Sequence, residues 1–591
     1  MAIAPEQLAQ NTAISIIIGV TGHRDLRPGD IPRLKDQVRA ILEDLRLKYP
    51  ATPLLVLSPL AEGADRLVAG VALDQGARLV VPLPLPREEY ERDFDTKESK
   101  EEFSELLSQA WKCFEIPLMK VSSHASISDS GSERDKQYTQ VGAYVARHSH
   151  ILIALWDGEP TGLQGGTGQI VNFKLNGIPT PFASEVKPLD IVDNGPVYRI
   201  VTPRVKTPTP RGEPFNLEIK FPDGWKSSES LESLEKSYGR ILEQMNTFNH
   251  DARRLTKTLA SKLKTNRDFV IPEAESPELS EAARFILDQY AVADTLAQFY
   301  KTRRKLTLIT LFAIAVAAVL SFEVYAHLLG RAGVLMLYPL SLGTAVGLYS
   351  LAKWKGYQNK HLDYRALTEG LRVQLFWNLA GLSEDVADHY LRQHRTELEW
   401  IRNAIRSWNV VAQRACNAEP RGQETIGERP SGAALLMVLK RWIEDQRNFF
   451  ERSRGKDRKK LRHHESLATS LFFCGLGLAI VAFALHLLLA DFGESSSWRR
   501  LLIVVMGITP AMAAAIGGYA EKMAFSAQAK RYDWMNALFD RAANQLTNLV
   551  KQKDYSGAQQ LIFDLGKEAL EENGDWVMIH RERTADVYKG A

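Results

Sequence analysis

Three short segments hold most of the residues able to do chemistry. They are Gly19-Val20-Thr21-Gly22-His23-Arg24, Glu62-Gly63-Ala64-Asp65-Arg66, and Trp156-Asp157-Gly158 with Gln164-Gly165-Gly166-Thr167-Gly168 after it. Glycine lets backbone N–H groups approach phosphate oxygens, and a helix N-terminus adds partial positive charge. Arg24 suits a charge-assisted bond to phosphate, or equally an ion pair with Glu62 or Asp65. Glu62 and Asp65 are three residues apart and share a helix face. They suit capping or hydrogen bonds to ribose hydroxyls better than acid–base catalysis. His23 has no Ser or Cys partner in view and reads as a hydrogen-bonding residue. The candidate nucleotide-binding residues are therefore Gly19, Thr21, Gly22, His23, Arg24, Glu62, Gly63, Ala64, Asp65, Asp157, Gly158, Gly165, Gly166 and Thr167. Tyr90 and Phe94 could stack on a base, although covering a core edge is the commoner use of such rings. No metal site and no resident cofactor is expected. His148 and His150 lack a third ligand, and Cys113, Cys416 and Cys474 are too scattered for a zinc site or a disulfide framework.

The elements around these segments follow from periodicity. Residues 14–201 alternate short apolar runs with amphipathic stretches, as parallel strands joined by crossover helices do. Strands are expected at 15–20, 54–57, 78–81, 151–155 and 197–201, and helices at 31–47, 65–75, 101–112, 137–148 and 168–175. This predicts an α/β Rossmann-like N-terminal domain with a parallel sheet. In such sheets ligands sit beyond the carboxyl ends of the strands, and each of the three segments directly follows a strand.

The order of Val20-Thr21-Gly22-His23-Arg24, Leu60-Ala61-Glu62-Gly63-Ala64-Asp65-Arg66, Leu155-Trp156-Asp157-Gly158 and Gly165-Gly166-Thr167 resembles the SLOG superfamily. That fold is shared with DNA-processing protein A, the lysine-decarboxylase-like LOG enzymes and the ligand-sensing region of TRPM channels. The resemblance covers about residues 14–204, including the strand from Gly195 to Arg204, and implies binding of a nucleotide or NAD-derived small molecule. LOG-type hydrolases carry Pro-Gly-Gly-x-Gly-Thr followed by catalytic glutamates. This chain has Gln164 and Gln169 in place of the proline and threonine, and Val171 and Asn172 where the carboxylates belong. General acid–base catalysis is lost at that position, so a sensor is favoured over an enzyme. A hydrolase acting through Glu62, Asp65 or His23 is the alternative.

The C-terminal half has a different character. Residues 306–322, 333–352, 467–490 and 501–520 contain no Asp, Glu, Lys or Arg, and each is about long enough to cross a bilayer as a helix. An α-helical membrane domain with four transmembrane helices is expected. Basic residues flank the runs: Lys301, Arg303, Arg304 and Lys305, then Lys353 and Lys355, then Lys459, Lys460 and Arg462, and finally Lys522, Lys530 and Arg531. Lys and Arg collect on the cytoplasmic side, so both turns, 323–332 and 491–500, are expected outside and the soluble parts inside. The residue pattern at the N-terminus does not resemble a secretory signal. A net charge of +3 on 591 residues gives no reason to expect a nucleic-acid partner. Within the spans His486, near a span end, is the one residue among Asp, Glu, Lys, Arg and His. Pro339 and Pro510 are candidate kinks, and Gly343, Gly347, Gly507 and Gly517-Gly518 are candidate close contacts.

This divides the chain into a nucleotide-binding domain at 14–204, a linker and helical connector at 205–300, and two-span helical units at 301–400 and 401–591. Gly356-Tyr357-Gln358-Asn359-Lys360 after the first hairpin corresponds to Gly518-Tyr519-Ala520-Glu521-Lys522 after the second. A long amphipathic stretch follows each, so the unit is duplicated. The units resemble the SLATT family of two-span modules that accompany SLOG domains, as does the ending Glu571-Glu572-Asn573-Gly574-Asp575-Trp576 with Arg581 beyond it. Together the resemblances imply an effector in the bacterial cell membrane, active in anti-phage defence. A nucleotide signal would drive it to form a homo-oligomer that breaches the bilayer. A scaffold without ligand control is the further alternative.

Overall fold

In a computed structural model, the structure describes residues 11–119, 131–160, 162, 164–182, 193–225, 230–276, 279–390, 398–412, 431–488 and 497–582. Cys416, most of the 179–195 loop and part of the 491–500 turn lie outside these. The chain forms two compact units. One comprises Met1–Leu263, Pro277–Val292 and Glu384–Ile426, and the other Lys264–Ser276, Ala293–Ser383 and Gly427–Ala591.

The first unit is built on a seven-stranded sheet in the order β4-β3-β2-β1-β5-β6-β7. The strands are β1 (Ile16–Gly22), β2 (Leu54–Leu57), β3 (Arg78–Leu83), β4 (Lys112–Glu115), β5 (Ile151–Trp156), β6 (Val197–Val201) and β7 (Leu217–Lys220). All neighbours are parallel except β6 and β7. β1, β2 and β5 read as unbroken apolar runs because parallel strands are covered on both faces. Their residues are almost all buried. β4 and β7 are short polar edge strands that periodicity did not indicate. The helix expected over 101–112 stops at Gln109, and Lys112 opens β4 instead.

The crossover helices are α1 (Ile31–Lys48), α2 (Ala64–Asp74), α3 (Lys97–Gln109), α4 (Ser132–His148) and α5 (Thr167–Asn176). In α1 the buried residues Leu34, Val38, Ile41, Leu42 and Leu45 recur at helical spacing and form a single stripe towards the core. The chain leaves β1 for β2 on one side and returns to β5 on the other. The sheet therefore has its topological switch point between the carboxyl ends of β1 and β5.

Two later pieces complete this unit. α6 (Leu231–Thr256) buries Leu234, Tyr238, Ile241, Leu242, Met245 and Phe248, and its Asn249 bonds both backbone groups of Ile14 at 2.8 Å. α7 (Ala260–Val270) and α8 (Glu281–Val324) follow. α11 (Glu399–Ala412) returns to the sheet: Val410 lies in the same apolar cluster as Ile17, Leu55 and Leu152. Ser407 Oγ donates to Ser15 O at 3.0 Å, and Trp408 Nε1 to Thr12 O at 3.2 Å.

The second unit contains the greater part of α8, then α9 (Leu337–Trp354), α10 (Tyr357–Leu379), α12 (Asp445–Leu488), α13 (Ser497–Lys522), α14 (Phe525–Gln552) and α15 (Tyr555–Glu582). Four helices are long and apolar enough to cross a membrane, with mean hydropathy of 1.5 to 2.2 over their most apolar stretches. They carry the four runs named above. Tight notches set the packing. A Cβ at Gly475 of α12 would overlap the Thr509 hydroxyl of α13, and one at Gly518 of α13 would lie 3.1 Å from the Phe312 ring of α8. α9 has no buried residue. α10 and α14 each start after a left-handed residue, Gly356 and Ala524, whereas Gly518, the counterpart of Gly356 in the sequence, lies within α13. Outside the spans, Trp377 Nε1 donates to Ile562 O at 3.3 Å, and Phe376 stacks on Trp442 with ring centroids 5.4 Å apart.

Candidate functional site

The loops leaving β1, β2 and β5 meet at the switch point. His23 N–H donates to Leu155 O at 3.1 Å and Ala64 N–H to His23 O at 3.1 Å, so the first segment lies between the other two. Gly63 has φ +77, and a Cβ there would overlap the carbonyls of His23 and Arg24. The close approach requires glycine. The notch at Gly22 is filled in the same way by Ala64 and Leu155, and that at Gly158 by Arg199. These glycines serve contact between loops rather than an open phosphate cradle. Gly19 is inside β1, against Ser149 and Val145, and Thr21 is buried in the same strand.

His23 is buried and ties the loops together. Its Nδ1 lies 3.1 Å from Arg204 Nη1. Its Nε2 lies 3.0 Å from Asp157 Oδ1 and 3.1 Å from the Asp157 backbone N–H. Burial lowers the imidazole pKa against the opposing pull of Asp157. His23 and Asp157 are thus used by the protein itself, with Arg204 as a third partner. The sequence shows Arg204 at the end of the β6 motif but gives no sign of this role.

Asp65 is also enclosed. Burial pushes its carboxyl up to about 7, while Arg24, the Ala61 N–H and Arg66 pull the other way. Tyr90 and Phe94 are 1% and 2% exposed and pack edge to face with ring centroids 5.1 Å apart, so neither presents a face to a ligand.

What remains open lies beside Arg24. Its side chain is exposed and has no carboxylate partner among the described residues, and its guanidinium is 5.7 Å from the Tyr138 ring centroid on α4. The ion pair with Glu62 or Asp65 is not formed. An open concavity of about 510 Å³ is lined by Arg24, Glu62, Arg66, Glu98, Ser99 and Glu102, a volume in the range of small-molecule sites. Glu62 accepts from the Ser99 hydroxyl. Arg66 donates to Leu60 O at 3.1 Å and, through Nη1, to Ser99 O, Ser99 Oγ and Glu102 at 2.9 Å each. Tyr138, Glu98, Ser99 and Glu102 were not singled out by sequence. They lie on the crossover helices α3 and α4.

Gly165, Gly166 and Thr167 stand at the start of α5 beside α4. Gly165 packs against Tyr138 and Thr139, and its N–H donates to Gln169 Oε1 at 2.7 Å. The Gln169 side chain thus occupies a backbone donor that an anion would use. No hydrogen bond among the described residues joins this turn to Glu62–Asp65. Val171 is buried and Asn172 is exposed.

A separate enclosed cavity of about 20 Å³ is lined by Arg147, His148, His150, Lys174, Asp193, Tyr238, Glu399 and Arg406, among others, and has room for about one water. Burial lowers both imidazoles to about 3 and the Lys174 amine to about 7. Among the described residues there is no metal-binding cluster of His, Cys, Asp and Glu.

Fold and site together define a membrane protein with a Rossmann-like domain and a polar concavity beside the loops that follow β1 and β2. No protein-family model and no curated protein matches the chain.

Proposed function

We propose that the chain is a membrane-anchored sensor whose first unit binds a nucleotide or NAD-derived signal in the concavity beside Arg24. The observation that carries this reading is Arg24 itself: exposed, without a carboxylate partner among the described residues, and lining a concavity beyond the carboxyl ends of β1 and β2. Arg24 would pair with phosphate, Glu62 and Glu98 would accept ribose hydroxyls, and Tyr138 offers a ring beside the guanidinium. The order of the β1, β2 and β5 motifs, resembling SLOG proteins, supports the ligand class. The duplicated hairpins, resembling SLATT modules, support an effector in the bacterial cell membrane with its soluble parts in the cytoplasm.

On this reading the bound signal drives homo-oligomerisation and opens the bilayer, as an anti-phage effector requires. A ligand shifts such an equilibrium only by binding one state more tightly. In liposomes carrying the full chain, one member of a panel of cyclic and NAD-derived nucleotides is expected to bind and release trapped dye. Arg24→Ala is expected to weaken that binding about 10- to 100-fold, the worth of one charge-assisted bond. Binding unchanged by the substitution, or a panel in which nothing binds, would refute the reading.

A further inference from the structure

The amino edge of the sheet, opposite the edge that carries the concavity, holds a second polar site. His150 directly precedes β5, and Asp193 and Gly195 lead into β6. The enclosed cavity of about 20 Å³ lies here, between the last residues of α4 and α5 and the side chains of α11. Its room for about one water suits a chloride ion, which is scarcely larger, and excludes sulfate, phosphate and any nucleotide.

Charge and hydrogen bonding both favour an anion. Arg147, Lys174 and Arg406 line the cavity against Asp193 and Glu399, an excess of one positive charge, since burial lowers both imidazoles to about 3 and so leaves them neutral. Both carboxylates are already engaged. Asp193 accepts from Arg402 and Arg406, and Glu399 from Arg402 at 3.3 Å. Behind them, Arg147 and Arg406 share Asp388.

Lys174 differs from these arginines. It is 5% exposed, and its amine donates to two carbonyls at the end of α4, Ala146 O at 3.2 Å and Ser149 O, rather than to a carboxylate. An ammonium has three donors, so one N–H remains. A Cβ at Gly195 would lie 3.0 Å from Nζ, and glycine there keeps the place of the amine. After burial, repulsion from Arg406 is the strongest influence on this group, ahead of the attraction of Asp193 and Glu399. Arg406, also 5% exposed, spends Nη2 on Asp193 and Asp388, while its buried Nε–H meets no acceptor. Two cations therefore line one closed space, each with an N–H to spare. Buried charge is costly unless it is paired and hydrogen-bonded, and a single small anion would do both.

We propose that this cavity is a halide site, in which chloride accepts from Lys174 Nζ and Arg406 Nε and ties α5 to α11. The ion completes the ionic anchor of α11, a helix that the chain reaches only after two spans. The site and the concavity lie at opposite edges of the sheet, and neither reading depends on the other.

The test compares the full chain in detergent in sodium chloride and in sodium gluconate of equal ionic strength, below about pH 7, where the Lys174 amine is charged. Gluconate is too large for the cavity. Amide exchange across Glu399–Ala412 is expected to be at least tenfold slower in chloride, with exchange in α1 the same in both salts. Equal exchange in α11, or an equal slowing in α1, overturns the proposal. Lys174→Met keeps much of the side chain's length without its charge and is expected to abolish the chloride effect on α11; an effect of unchanged size in the variant overturns the proposal too. Crystals of the unsubstituted chain grown in bromide give a readout that needs no variant. An anomalous peak between Lys174 Nζ and Arg406 Nε is expected there, and a cavity without one refutes the halide site.

Discussion

At the residue scale, the switch point consumes its own most reactive groups. His23 spends both ring nitrogens on Arg204 and Asp157, and Asp65 is sealed beneath the rim. The Asp65 carboxyl is raised by burial from 3.8 to about 7, so the folded chain holds its proton more tightly than the unfolded chain does. Its stabilising contribution is complete below about pH 4 and is lost as pH rises through about 7. Asp65→Asn, which can still accept from Ala61, should lack this loss. Denaturation midpoints of variant and parent should diverge between about pH 4 and pH 7, the variant gaining; parallel curves would show that Asp65 does not titrate as described. The sequence places these segments at the carboxyl edge of the sheet, because a residue just after a strand must lie there. It left open whether each polar group faces a ligand or another loop. That depends on long-range pairs such as His23 with Arg204, which no local spacing encodes.

At the element scale, the legible parts were those whose pattern is set by burial alone. Ile16–Gly22, Thr21 apart, and Ile151–Trp156 are apolar because both faces are covered, and the four spans because lipid admits little else. Lys112–Glu115 and Leu217–Lys220 were hidden because an edge strand of four residues needs few apolar side chains. Pairing with β3 and with β6 defines them, not their composition. The helix ends were also partly hidden. α14 ends on Lys553, which takes the left-handed conformation, φ +57, with its N–H turned back to Leu549 and Val550. Side chains other than glycine pay a steric cost there, and Lys553 is exposed. Lys553→Gly should therefore stabilise the second unit by about 0.5–1 kcal/mol, seen as a higher thermal midpoint in detergent. A lower midpoint would mean that the lysine side chain contributes more than the backbone strain removes.

At the scale of the whole molecule, the division of the chain is not linear. Residues 384–426 come after two spans and yet belong to the unit that begins before residue 20. Their anchor is ionic. Asp193 bonds Arg402 at 2.7 Å and also Arg406, which reaches Asp388 at 3.1 Å. Arg147 pairs with the same Asp388. Burial alone would raise the Asp193 carboxyl, but Arg406 and then Arg402 hold it far below the usual range. Removing one member of a buried ion cluster costs on the order of 3–5 kcal/mol. Asp193→Asn should accordingly speed amide exchange across Glu399–Ala412 at least a hundredfold and leave α12 and α13 unchanged. Unaltered exchange in α11 would show that Trp408 and Val410 suffice to hold it.

This arrangement constrains how the protein is made. The sixth strand has left the ribosome by residue 201, but the helix that covers its sheet is finished only at residue 412. At about 5–20 residues per second, the nascent domain waits roughly 10–40 s with an apolar face uncovered. Two hydrophobic segments are delivered to the bilayer in that interval, so insertion precedes completion of the water-soluble fold.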